Sequence, residues 1–189
     1  MGLHVFCEAF LAACCALAAV SAWRSPSRAA LAALGFALIG IAALLGALVY
    51  AGMEAANTAH DGATFLAARL GLLLIAAHAP RNWRWSAGVV LLGALSLFVM
   101  PPFDQAIAVL ALVAIAWKGR SRHWPLAITG ALMFALAGLV IGTRGEWFNI
   151  PRVDFFHLGL AAAVLAWWRA GPASPTSATV KGLLQESRL

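Results

Sequence analysis

The residues best equipped for chemistry lie in one apolar stretch near the C-terminus, Trp147 to Trp168, which reads WFNIPRVDFFHLGLAAAVLAWW. Asn149, Asp154 and His157 stand at its mouth. Asp154 and His157 are three residues apart and share a face if the stretch is helical. A carboxylate beside an imidazole can hold a polar ligand, exchange a proton with it, or ligate a metal. Two more charges, Glu8 and Arg69, sit inside otherwise apolar segments. An ionisable side chain facing lipid is costly, so these groups are expected to face a bundle interior and meet there. The expected ligand-binding set is therefore Glu8, Arg69, Asp154 and His157, with Asn149. The same cluster would also serve as an ion-pair network that fixes helix order, and both readings stand.

A metal site would draw on His157, Asp154 and His60, with zinc the ion for such donors. His4, Glu8 and Asp104 share their depth, although no two histidines are spaced i, i+4. Nucleophilic catalysis has little to work with. Ser86 and Ser96 fall far from the histidines, and G-x-S-x-G, phosphate-loop and H-E-x-x-H motifs are missing from the sequence. Cys7, Cys14 and Cys15 all fall in the first apolar segment, without C-x-x-C spacing, and are expected as buried small side chains.

The elements that must position these groups follow from composition. The chain has 189 residues, of which 63% are hydrophobic and 11% charged. A soluble domain would carry about 25% charged residues, so the class is a polytopic, all-α membrane protein. Apolar segments run over 3–23, 29–52, 62–79, 86–100, 103–117, 125–143 and 153–168. The expected architecture is a seven-transmembrane helix bundle over residues 1–169, followed by a disordered cytoplasmic tail, 170–189, rich in Pro, Ser and Thr. Segments 86–100 and 103–117 are short and meet at Pro101-Pro102, so they are either full spans or a re-entrant hairpin. Leu11-Ala12-Ala13-Cys14 has the form of a lipoprotein cleavage box. The start lacks Lys and Arg, however, and Glu8 interrupts the apolar run, so the first segment is expected to be a retained helix.

Charge orients the bundle. Arg24, Arg28, Arg81, Arg84, Lys118, Arg120, Arg122, Arg169, Lys181 and Arg188 all fall on one side, ten of the thirteen basic residues. Positive-inside places that side in the cytoplasm, with the N-terminus out and the C-terminus in. The same distribution explains the net charge of +6 without invoking nucleic acid. Glu8, Glu54, Asp61, Asp104, Glu146 and Asp154 gather on the opposite side with His4, His60 and His157. The basic residues include only two lysines, a mild pointer to a bacterial inner membrane. His78, beside Pro80, is expected as an interfacial histidine, and the eight tryptophans, all near span ends, as an aromatic belt.

An acid in the first helix and the run Phe148, Asn149, Asp154, Phe156 and His157 at the entry to the last give the chain a likeness. It resembles the seven-helix superfamily of alkaline ceramidases and progestin/adipoQ receptors, and within it small multi-pass bacterial proteins. The resemblance implies a seven-helix bundle and, for enzyme members, a zinc-dependent hydrolase acting on lipid amides. Those enzymes carry a second histidine four residues on, where this chain has Ala161. Three functions therefore stand. They are an outer-face polar pocket binding a lipid or small ligand (or merely stabilising the bundle), a metal-dependent lipid-amide hydrolase, and a small or proton-coupled carrier.

Overall fold

The computed structural model describes residues 2–25, 29–77, 83–98, 103–118 and 123–171. His78, Pro80, the Pro101-Pro102 turn, the basic residues Arg28, Arg81, Arg120 and Arg122, and the tail from 172 lie outside them. The described chain is almost wholly helical. We number its helices α1 (Gly2–Arg24), α2 (Ala30–Tyr50), α3 (Glu54–Ala77), α4 (Trp83–Ser96), α5 (Phe103–Lys118), α6 (Trp124–Ile141) and α7 (Arg152–Ala170). α1, α2, α3 and α6 are each long and apolar enough to cross a membrane. α4 and α5, at 14 and 16 residues, reach only about 21 and 24 Å at about 1.5 Å per residue. That is short of a hydrocarbon core of about 30 Å.

One expectation changes at the start of α3. The apolar segment 62–79 predicts a helix from Gly62 and leaves the polar stretch Met53 to Asp61 as a connection. Instead α3 begins with a 3-10 turn at Glu54–Ala56 and is α-helical from Asn57. Glu54, in the first turn, complements the positive end of the helix dipole there. The period of polar residues on this first part is that of a helix lying partly in water, which an apolar-segment search passes over.

Two helices are irregular. α3 runs through a π-helical segment at Ala67–Gly71, and α6 ends in another at Ala137–Ile141. A π turn holds an extra residue, so side chains around it are rotated relative to a regular 3.6-residue helix. After α6 the chain turns at Gly142 and Gly145, both at positive φ, into a two-residue hairpin. Its strands, β1 (Glu146–Trp147) and β2 (Ile150–Pro151), pair antiparallel. Phe148 and Asn149 form its tip at φ 52° and 61°, the left-handed pair of a type I′ turn. Arg152 ties the hairpin down. Its guanidinium donates to the Val140 carbonyl and lies 4.8 Å from the Trp147 ring centre.

The helices close into a ring in which α1 packs on α2 and α7, α2 on α3, α3 on α5, α5 on α6, and α6 on α7. α4 leans on α3 from outside. α4 and α5 leave an apolar recess of about 380 Å³ against α3, lined by residues such as Leu92, Leu110 and Trp117. Between helices in lipid, burial of apolar surface supplies no drive, so close packing of small residues must hold the ring. A Cβ at Gly35 would meet the Gly71 carbonyl oxygen at 2.6 Å, and one at Gly40 would meet Cys15 Cβ at 2.9 Å. Cys7, Cys14 and Cys15 are free and buried in this packing, as small side chains would be.

Gly35→Ala has no room to relax, because its neighbour is backbone. It should destabilise the protein by about 1–3 kcal/mol. Gly62→Ala, with no atom within 4 Å of the added carbon, should be neutral or stabilise by about 0.5–1 kcal/mol. Thermal unfolding of both variants in bilayer nanodiscs checks the pair.

Candidate functional site

Glu8 lies six residues into α1, about 9 Å below its start at about 1.5 Å per residue. It is 2% exposed. Gly46 of α2 makes room for it, since a Cβ there would overlap the Glu8 carboxylate and press on His60 Cε1 at 3.1 Å. His60, from α3, uses the same gap, and its Nδ1 lies 3.1 Å from the Ala42 carbonyl oxygen. From α7, His157 presents Nε2 to Glu8 Oε1 at 3.5 Å. Asp154, one turn earlier and 1% exposed, accepts a 2.7 Å hydrogen bond from His4 Nδ1 of α1. The His4 ring stacks on Tyr50 of α2, with centres 5.0 Å apart. Four helices thus bring two carboxylates, three imidazoles and a phenol to one end of the ring.

The two carboxylate–histidine pairs differ in kind. His4 and Asp154 are at the distance of a strong charge-assisted hydrogen bond. The Glu8–His157 separation is too long for one and leaves both groups able to take a third polar atom. Among the described residues, the buried His157 Nδ1 and Asp154 Oδ2 find no hydrogen-bond partner. A buried polar atom without a partner costs about 1–3 kcal/mol. The unmet valences are thus concentrated on α7, beside Glu8.

Glu8, His60 and His157 open into a cavity of about 500 Å³. Its polar end also has Tyr50, Thr64 and Thr143, and further in it is lined by apolar residues such as Leu11, Ile39, Leu72, Phe134 and Leu160. Among the described residues that line it, Glu8 is the sole formal charge if the histidines are neutral. The cavity is an apolar slot with an acid and two imidazoles at its end.

Of the expected set, Glu8 and His157 are brought together on the cavity, and Asp154 stands directly behind them. His60 joins them, but as a neighbour of the Ala42 carbonyl. Arg69 is placed elsewhere. Its Nη1 donates to the Ser96 and Leu97 carbonyls of the α4 end at 3.0 and 3.2 Å, and its guanidinium lies over the Phe65 ring. Depth alone groups Arg69 with the others; at about 100° per residue it lies about 180° around the helix from His60, nine residues earlier. Asn149 is exposed at the hairpin tip, where it serves the left-handed turn. His157, Asp154 and His60 do not form a metal cage. Among the described residues no group of three His, Cys, Asp or Glu side chains is arranged to hold a metal ion. The donors point instead to separate partners, so they do not fit a zinc centre. Tyr50 and Gly46 are the members the sequence reading missed. Tyr50 carried a usable signal, as the one tyrosine of the chain and at the same end as the acids.

No protein-family model, curated protein or solved structure matches the chain.

Gly46→Ala should cost about 1–3 kcal/mol through overlap with Glu8. In a Glu8→Ala background most of that cost should vanish. A double-mutant cycle on unfolding free energy measures the coupling. Additive effects would show that Gly46 does not make room for the carboxylate.

Proposed function

We propose that this chain is a seven-helix protein of a bacterial inner membrane, N-terminus out and C-terminus in, that binds an amphiphile in the cavity. The head of the ligand sits between Glu8 and His157, and its apolar chain extends toward Leu72 and Leu160. Four helices of membrane-spanning length support the coarse part of this reading. The one-sided distribution of basic residues supports the orientation. Its single carrying observation is the 3.5 Å gap between an acid and an imidazole at the end of an apolar cavity. About 300–1,000 Å³ is the range of small-molecule sites. An acid and no Lys or Arg among the described lining residues favour a head that donates hydrogen bonds or carries positive charge, and disfavour a phosphate or carboxylate.

The other readings draw less support. An ion-pair network would have Arg69 between the carboxylates and no cavity beside them. A carrier would need a polar path toward the cytoplasmic side, whereas the lining there is apolar. The hydrolase of the ceramidase-like superfamily would need three outer donors around one point.

Native mass spectrometry of the protein in nanodiscs, incubated with a long-chain alkylamine, alkanol or fatty acid, tests the proposal. The amine and alkanol should bind and the fatty acid should not. Glu8→Gln removes a charge-assisted contact of about 1.5–3 kcal/mol, so it should weaken the amine about ten- to a hundredfold. Binding of none of the three, or equal binding of all with Glu8→Gln unchanged, would overturn the reading. So would stoichiometric zinc lost in both His157→Ala and Asp154→Ala, which would restore the hydrolase.

A further inference from the structure

Three helices are tied together at the polar end of the cavity. His4 joins α1 to α7 through Asp154 and to α2 through Tyr50. Asp154, behind the head site, is 1% exposed. The open side is a different one. The lining residues that are exposed are Thr64 and Ala68 of α3, Gly138 of α6 and Thr143 just after it. α3 and α6 each pack on α5, whose Ala108 also lines the cavity, so the two flank this edge on either side of it. The residues at this edge are small: Ala67, Ala68, Ala108 and Gly138. A Cβ at Gly138 would find no atom within 4 Å.

A second observation falls on the same edge. The π-helical segments of α3 and α6 supply Ala67, Ala68 and Gly138 to the lining. Such segments make up well under about 1% of residues and occur mostly as single-turn bulges, frequently at functional sites. Here two of them flank one opening. Arg69, inside the α3 segment, bonds the Ser96 carbonyl of α4, and alanines border the gap.

We propose that the ligand enters sideways, from the hydrocarbon of the outer leaflet, through a portal between α3 and α6 bordered by these two π segments. This rests on the amphiphile-binding reading and adds the ligand's source, which is the membrane itself. The polar head passes Thr64 and Thr143, whose hydroxyls can hydrogen-bond to it, and stops at Glu8 and His157. The chain stays in apolar surroundings throughout, so entry exposes no hydrocarbon to water. A ligand arriving from the aqueous side would instead have to break the His4–Asp154 hydrogen bond.

The test uses the full chain in proteoliposomes and a long-chain alkylamine carrying a diazirine and an alkyne, delivered from donor vesicles. Labelling of α1 and α7 peptides is followed in time. Gly138→Trp and Ala68→Trp each place a bulky ring in the portal from one side. Leu139→Trp, beside Gly138 but 72% exposed and off the cavity, is the control. The portal variants should label about tenfold more slowly, the effect of about 1.4 kcal/mol added to the entry barrier. The control should match the wild type. Thermal unfolding confirms that each variant is folded, and either portal variant alone suffices. A wild type that never labels in the cavity would overturn the binding reading and the portal with it. Wild-type labelling with folded portal variants as fast as the control would overturn the portal alone. Faster labelling on His4→Ala, with the portal variants unaffected, would assign entry to the aqueous end.

Discussion

Hydrocarbon cannot solvate a carboxylate. Two acids nearly free of exposure, Glu8 and Asp154, are therefore the constraint on which this end of the ring depends. Each must be met from inside the ring, and each is met by a histidine. That requirement sets α1 against α7, because His4 must reach Asp154 and His157 must reach Glu8. It sets α2 as well, because the Glu8 carboxylate fits only where residue 46 has no side chain. Neutral or charged, an imidazole can serve an acid at modest desolvation cost, whereas a guanidinium brings a permanent charge that must itself be satisfied. Arg69 is accordingly used where backbone carbonyls at the α4 end can absorb its donors.

The two pairs divide the work by distance. At 2.7 Å the His4–Asp154 bond is complete and joins two helices. At 3.5 Å the Glu8–His157 pair is incomplete, and the nearby orphaned His157 Nδ1 and Asp154 Oδ2 leave further hydrogen-bonding capacity unused. A structural network would be expected to close all of these, since a half-satisfied buried network is worse than none. The incomplete pair sits on the cavity and the complete one behind it, which is the order expected if the first holds a ligand and the second holds the first in place.

Much of this was legible in the sequence. Four of the segments stand out by hydropathy because their lengths match a bilayer, and Asp154 and His157 stand out because charge inside an apolar segment is rare. Glu8 was found by the same argument. Arg69 was misplaced because depth follows from counting residues, while direction follows from helical phase: nine residues on from His60, it lies on the opposite side of a helix. Asn149 looked like a ligand because it is polar and close by, yet its φ of 61° shows a turn residue. Gly46 was invisible for a different reason. In a chain with 17 glycines, only the partner across the interface tells which one is indispensable. The cavity itself was unreadable, since alanine-rich helices show almost no contrast between a packed face and one that borders a void.

That void carries the last step. In water an apolar cavity is an unfilled part of a hydrophobic core, but between helices in lipid there is no hydrophobic drive to lose. What an empty cavity forfeits is dispersion, contact by contact, along all of its lining. Elsewhere the ring gains such contacts closely, bringing backbone to backbone at Gly35 and Gly71 and ring to carbonyl at Trp167 and Ala127. At the cavity the sequence does the reverse and presents Ala42, Ala43, Ala67, Ala68, Ala108 and Gly138, where larger aliphatic side chains would fill the space. A slot of about 500 Å³ with an acid at its end recovers those contacts only when something chain-like lies in it. The bilayer around the protein is the nearest supply of such chains.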